Sequence, residues 1–407
     1  MHMLRTSTLH QSITSALGLA LLAFCLRLII IPLTSGLDYD ITSYHIQAQS
    51  VFSHQNIYLL TNRYPYPPVW IWWTALAQWA STLTLLPFVW FIKIPALLGD
   101  CLIVVLLRRC QGVGAALFYA ANPVSILVTA GQGQFDGLVI ALVVLAWACW
   151  RSTRASGPYW AALALGGAIA LKGYPILLLP ALLAPLPSNR QRWRAAALAL
   201  TPLLLSIVIY SAFFGLEGAM ITHVLIYNSP LNFGWALYIP FLMNILWPAG
   251  FPVVMLALAV ITRVIILLMV YRLPVRRPGW PLERHWLVVL LGLYVLAPGV
   301  SAQYLLWTLP FLAMLDIPWG WRYTLCSALV MWVFYVAVYP GATPWGSNLR
   351  NFHPALWFPG FVALNLVWWL FCLLLWRRWL RPEQQIPGKQ ERQSLAARDQ
   401  MQATTAP

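Results

Sequence analysis

Residues 88–109 read FVWFIKIPALLGDCLIVVLLRR. Up to Leu107 the run carries only two charges, Lys93 and Asp100. As a helix rising 1.5 Å per residue it is long enough to cross the ~30 Å hydrocarbon core of a bilayer. It stops at the pair Arg108-Arg109, a typical composition for a segment end at the cytoplasmic membrane face. Further apolar segments lie at about 68–86, 114–130, 137–150, 158–171, 173–186, 195–214, 248–271, 286–300, 303–316, 323–340 and 357–376, after a first span from Ser12 to Ser35. The 407 residues are 61% hydrophobic and 9% charged, with a mean hydropathy of +0.72. A soluble domain carries roughly 25% charged residues, so a water-soluble globular protein is excluded. The 23 Trp and 17 Tyr suit a chain that meets a membrane–water interface many times. The expectation is an all-α, polytopic integral membrane protein of about eleven to thirteen transmembrane helices.

The net charge of +15 reports topology rather than a nucleic-acid partner. Nineteen of the 25 Lys/Arg fall in short connectors assigned to one side, from Arg5 through Arg108, Arg109, Arg151, Arg154, Arg190, Arg192, Arg194 and Arg284 to the tail. Arg63 and Arg350 fall in loops on the other side. That bias is the positive-inside pattern and puts both termini in the cytoplasm. If 68–86 and 88–107 both crossed fully, Arg108-Arg109 would change sides. Segment 68–86, opened by Pro67-Pro68, is therefore expected to be re-entrant or to pack within an outer-face module. The six cysteines form no CxxC and no loop pair, so neither a disulfide framework nor a zinc site is indicated.

Four regions follow: a cytoplasmic N-terminus (1–11), a transmembrane module (12–214) with an outer loop at 36–68, a second transmembrane module (215–380), and a polar, disordered cytoplasmic tail (381–407). Within the outer loop, Ile41, Tyr44, Ala48 and Val51 have helical spacing, as in a helix lying on the membrane surface. On the same face lie the turn Gly131-Gln132-Gly133-Gln134-Phe135-Asp136, the break Lys172-Gly173-Tyr174-Pro175, and the loops 215–247 and 341–356.

Ten carboxylates make a short search. Glu283, Asp316, Glu383, Glu391 and Asp399 read as solvated charges in connectors or the tail. Asp100 stands seven residues after Lys93, on the same helix face, and a Lys93–Asp100 structural tie is expected, because a charge in hydrocarbon needs a partner. Asp38 and Asp40 flank Tyr39 where the chain enters the outer interface, a position that suits a general base as well as the plain end of a helix. Asp136 opens a helix, where capping would suffice to explain it.

Taken in order, these elements are more specific. They are Asp38-Tyr39-Asp40 with Ser43-Tyr44-His45, Tyr64-Pro65-Tyr66-Pro67-Pro68, Lys93 with Asp100, Asn122-Pro123, Gly133-Gln134-Phe135-Asp136-Gly137 and Leu171-Lys172-Gly173-Tyr174-Pro175. The chain resembles the GT-C superfamily of membrane glycosyltransferases over about residues 12–186. Within it the likeness is to bacterial polyprenyl-phosphate-sugar-dependent mannosyl- and glucosyltransferases, with Gln303-Tyr304-Leu305-Leu306-Trp307 as a further marker. The resemblance implies a hexosyltransferase at the extracytoplasmic face of the cell membrane. Its donor would be a polyprenyl-phosphate-linked sugar, mannose or glucose, and its acceptor a lipid-linked or envelope glycan. Inversion at the sugar carbon is expected, with Asp38 as base and Asp40 as its close competitor. No cofactor and no metal are implied, since the second acidic metal motif of the oligosaccharyltransferase branch is absent.

In that scheme Lys172 is the favoured cation for the leaving phosphate, with Arg63 and Arg350 as alternatives. Gln134, Asp136 and Gln303 would bind sugar hydroxyls, and Tyr64 or Tyr66 would stack on the sugar. Tyr44, His45 and Tyr174 complete the candidate site. A transporter or flippase of a lipid-linked or polar substrate would share the intramembrane charges and broken helices, and is the rival reading. Against it stand acidic and aromatic motifs concentrated on one face and no detectable inverted repeats.

Overall fold

A computed structural model describes residues 2–226, 233–239, 242, 251–342 and 346–381. The polar tail beyond Arg381 and parts of the loops 215–247 and 341–356 lie outside the described residues. The described chain is helical, with no strand apart from one isolated bridge between Phe233 and Val300. The principal helices are α1 (His2–Ile30), α2 (Asp38–Phe52), α3 (Val69–Thr84), α4 (Phe88–Cys110), α5 (Val113–Ala120), α6 (Asp136–Trp150), α7 (Gly157–Leu171), α8 (Asn189–Phe214), α9 (Phe251–Arg276), α10 (Leu282–Leu296), α11 (Ile317–Val338) and α12 (Pro354–Leu380).

Local chemistry sets their ends. Ser188 and Gln191 form a reciprocal capping box at the start of α8. Asp316 accepts the Trp319 N–H to cap α11. Asn122 caps a short helix, Pro123–Ile126, in which Pro123 takes the first position, where its missing N–H costs nothing.

Among the described residues six helices are long and apolar enough to cross a membrane: Ser15–Leu33, α4, α8, the stretch Val253–Arg276 of α9, α11 and α12. The bent pair Val113–Ala120 and Pro123–Gln132 adds a broken seventh candidate. This is fewer than the eleven to thirteen expected. The segments read at 137–150, 158–171, 173–186 and 303–316 form apolar helices of 10–17 residues, shorter than a full crossing. In α4 and α11 half of the apolar stretch is buried, against 17–28% in the other four. Those two are central, and the others turn most of their apolar surface outward, as membrane-facing helices do.

Small residues let the inner helices approach closely. A Cβ at Gly99 of α4 would come within 2.7–2.8 Å of the Gly137 backbone of α6, and one at Gly137 would meet Thr129 and the Ala96 carbonyl. Charged groups inside this core are fully partnered. Asp100 accepts from Arg27 Nε at 2.5 Å, Tyr119 OH at 2.6 Å and Thr129 Oγ1 at 2.7 Å, while the Arg27 guanidinium also reaches Ser125 and the Ala120 carbonyl. The Lys93–Asp100 tie is therefore not formed. Seven residues along one helix is a rise of about 10 Å, and each group instead finds a nearer partner off α4. Lys93 Nζ donates to the Thr34 hydroxyl and carbonyl, both at 2.8 Å. Glu283 also departs from its expected solvated role, since it is buried and accepts the Trp147 indole N–H at 2.9 Å.

Helix direction separates the two ends of the bundle. α4 starts at Phe88 beside His45 and runs to Arg108-Arg109; α6 runs from Asp136 to Trp150, and the next residue, Arg151, pairs with Glu283 near the start of α10. α8 begins with Arg190, Arg192 and Arg194 and finishes at Phe214, whose carbonyl accepts from Asn56. In the last turn of α12, Arg378 pairs with Asp316 just before α11. The basic connectors thus gather at one end, and α2 lies at the other. Helix α3 stays with α2, joined by a 3.0 Å contact between His45 and Gln78 and by the Tyr44–Trp70 rings, and turns back into α4 at Phe88.

Candidate functional site

A cavity of about 70 Å³ opens at the end of the bundle opposite the arginine-rich connectors. Its polar lining comes from α2 (Tyr39, Asp40, Ser43, Tyr44, Gln47), the following loop (Asn62, Arg63, Tyr66), the segment after α10 (Ser301, Gln303) and Tyr339 after α11. The volume is several times what one water requires. On α2, Asp40, Ser43, Tyr44 and Gln47 are spaced 3, 4 and 7 residues apart, which puts all four on one face.

Behind Asp40 packs an irregular turn. After the short helix at Pro123 the backbone widens into a π-helical turn, Leu127–Gln132, which ends at Gly133 with φ +82°. Glycine adopts that left-handed geometry without steric cost. Such widened turns often occur at functional sites. Here the turn delivers Gln132 and Gln134, both buried, against α2. Gln132 Nε2 lies 3.4 Å from Asp40 Oδ2 and 3.5 Å from Gln303 Oε1. The Gln132 carbonyl accepts the Leu37 N–H at 3.0 Å, pinning the start of α2 to the turn.

The Asp40 carboxyl is pushed up from 3.8 to about 6 by burial, opposed by the Gln134 and Gln132 amides and by Lys172, while Asp136 adds to the rise. Near neutral pH it is an ionised carboxylate of raised basicity, the state a general base needs. The Tyr44 hydroxyl, held well above its ordinary range by burial and then by Asp40 and Asp136, stays protonated and donates to Gln134 Oε1 at 3.2 Å.

Behind this lies a second polar group. Lys172 Nζ bonds both Asp136 oxygens, at 3.0 and 2.8 Å, with both side chains buried. Trp307 donates its indole N–H to Asp136 at 2.5 Å. The rings of Tyr66, Phe135, Tyr304 and Trp307 surround the ammonium at 5.1–5.7 Å, and Tyr174 stacks on Trp307 at 3.4 Å. Asp136 is thus an ion-pair partner as well as the first residue of α6. At the cavity wall Arg63 is drawn onto α2: Nε donates to Ser43 Oγ at 3.0 Å, Nη2 donates to the Tyr39 carbonyl at 2.6 Å, and the guanidinium covers the Tyr39 ring at 4.0 Å.

Of the residues singled out from sequence, Asp40, Tyr44, Arg63, Tyr66 and Gln303 line the cavity; Gln134, Asp136, Lys172 and Tyr174 pack behind it. Four lie elsewhere. Asp38 is exposed in the first turn of α2, where a carboxylate complements the helix dipole. His45 points away from the cavity, onto Gln78 and the Phe88 ring 4.0 Å away. Tyr64 is fully buried and donates to the Pro67 carbonyl at 2.6 Å. Arg350, exposed in the helix Gly346–Phe352, does not line the cavity. Residues that sequence reasoning missed are Gln132, Gln47, Ser301, Tyr335 and Tyr339. Gln132 sat in the quoted Gly131–Asp136 turn, whose alternating glutamines were the available signal; Tyr335 and Tyr339 stand in an aromatic-rich helix end with nothing to mark them. Among the described residues no three His, Cys, Asp or Glu side chains come together as metal ligands would. No protein-family model matches the chain, and no curated protein matches it.

Proposed function

We propose that the chain is a membrane hexosyltransferase of GT-C type, moving mannose or glucose from a polyprenyl-phosphate donor to a lipid-linked or envelope glycan at the extracytoplasmic face. The observation that carries this reading is Asp40: a carboxylate of raised basicity, facing a polar cavity, at the end of the bundle remote from the basic connectors. If those connectors mark the cytoplasmic side, the cavity opens outward, where a polyprenyl tail can stay in lipid while its headgroup reaches Asp40.

Asp40 takes the proton of an acceptor hydroxyl as that oxygen bonds the anomeric carbon from the face opposite the phosphate. The carbon–oxygen bond to phosphate breaks, and its electron pair leaves with the polyprenyl phosphate. Developing negative charge there needs a donor. Arg63 is preferred over Lys172, because the Lys172 charge is already matched by Asp136, whereas the Arg63 guanidinium stands at the cavity wall. Asp40 replaces Asp38 as the proposed base for the same reason of placement.

The test is transfer of a radiolabelled hexose from short-chain polyprenyl-phosphate mannose or glucose to extracted envelope lipids by the purified chain. Parent activity, lost in Asp40→Asn and kept in Asp38→Asn, supports the reading. Absence of transfer with both donors, alongside movement of the lipid-linked sugar across proteoliposome membranes, replaces it with the flippase reading.

A further inference from the structure

We infer that Gln132 and Gln134 are positioning residues for the Asp40 carboxylate, each keyed by a tyrosine hydroxyl from a different helix. This rests on the reading of Asp40 as the base. A glutamine amide has an accepting and a donating end of nearly the same shape, so presenting the donor to a carboxylate requires something to hold the oxygen. Tyr335 of α11 donates to Gln132 Oε1 at 2.8 Å, which leaves Nε2 facing Asp40. Tyr44 of α2 donates to Gln134 Oε1 at 3.2 Å, which leaves the Gln134 amide nitrogen for Asp40, whose carboxyl that amide draws down against the effect of burial. Both glutamines and both tyrosines are buried.

The backbone explains how one segment supplies both donors. Residues two apart on an α-helix point to opposite sides, so Gln132 and Gln134 could not converge on one carboxylate from regular helix. The π-helical turn ending in left-handed Gly133 swings the second amide round to the side of the first. A Cβ at Gly133 would also stand 3.4 Å from Ile41 and 3.5 Å from Lys93. The other charged and titratable groups facing Asp40 are Lys172 and Asp136 behind it, Arg63, Tyr39 and Tyr66 along the cavity wall, and Tyr44, Tyr335 and Tyr339 from α2 and the end of α11. Beside these, the two tyrosine-keyed amides, Gln132 at 3.4 Å from the carboxylate, oppose the rise that burial imposes on Asp40, so they bear both on where its oxygens point and on how readily it gives up its proton.

The experiment needs no sugar. The full chain in detergent micelles is treated with dicyclohexylcarbodiimide, which adds to protonated carboxyls, across pH 4.5 to 8, and labelling at Asp40 is read by peptide mass spectrometry. A donor to a charged group is worth enough to move a carboxyl by about one pH unit. Gln132→Met and Gln134→Met should each raise the labelling midpoint by about that much. Tyr335→Phe removes a single hydroxyl with little effect on folding, and should raise it by less, since the freed amide then spends part of its time with oxygen toward Asp40. The acid limb of the transfer rate should move in parallel. Unchanged midpoints in Tyr335→Phe and in either glutamine variant would overturn the inference. Shifted midpoints in a chain that transfers no hexose would uphold it and remove the function proposed above.

Discussion

Replacing Asp40 with Asn should stabilise the protein above pH 7 while abolishing transfer. Burial holds the folded-state carboxyl at about 6, above its unfolded value near 3.8. The folded chain therefore binds the proton more tightly, so stability is highest where Asp40 is protonated, falls as pH rises from about 4 to about 6, and stays reduced above that. A difference of roughly two units at 1.36 kcal/mol each makes ionised Asp40 a cost of ~3 kcal/mol at pH 8. Asparagine removes that charge but turns one donor of its own toward the glutamine amides, forfeiting about one hydrogen bond, ~1 kcal/mol. The net gain is ~2 kcal/mol at pH 8, or roughly 2–3 °C in Tm for a chain of this length, and nothing or a slight loss at pH 4.5. Thermal melts of both chains in one detergent, followed by intrinsic tryptophan fluorescence, measure it. Equal Tm differences at the two pH values, or an Asn variant less stable at pH 8, would refute the reasoning, since Asp40 would then carry no buried charge.

Other outcomes follow from the same packing. Lys172→Met leaves Asp136 buried without its cation and should cost ~3–5 kcal/mol, seen as loss of the monodisperse peak in size-exclusion chromatography; adding Asp136→Leu should restore the peak. Gly137→Ala places a methyl within 2.8 Å of the Ala96 carbonyl and Thr129, and should cost ~1–3 kcal/mol by thermal melt. Arg63→Ala should leave Tm within about 1 °C, because partly exposed polar contacts contribute little, while raising KM for the phosphate-linked donor. Asp38→Asn should alter neither Tm nor transfer by a measurable amount.

Much of the architecture was legible in residue patterns. Apolar runs announced helices, and the arginine-rich connectors do gather at one end. Segment 68–86 forms α3, which packs beside α2. What the patterns could not carry was pairing between distant segments. Lys93 and Asp100 share a helix face, but Asp100 bonds Arg27, 73 residues away, because packing of α1 on α4 brings a nearer cation. Among the described residues fewer helices are long enough to span than the patterns suggest, because apolar composition alone does not distinguish a full crossing from a shorter helix buried among others. At the site, the DYD triplet was visible, but helical phase decides which carboxylate faces inward, and a shift of two residues turns Asp38 out and Asp40 in. Gln132 and Tyr335 were invisible in that role because the π-helical turn that joins them to Asp40 has no periodicity to read.

The central claim is that Asp40 activates an acceptor for sugar transfer from a polyprenyl phosphate. Its most direct test is the rate of polyprenyl-phosphate release from labelled donor in nanodiscs, with envelope lipid as acceptor, for the parent chain, Asp40→Asn and Asp38→Asn side by side. The account predicts release by the parent and by Asp38→Asn, with a loss of at least 100-fold, the order of magnitude of a general base, in Asp40→Asn. Release by Asp40→Asn at the parent rate would contradict it.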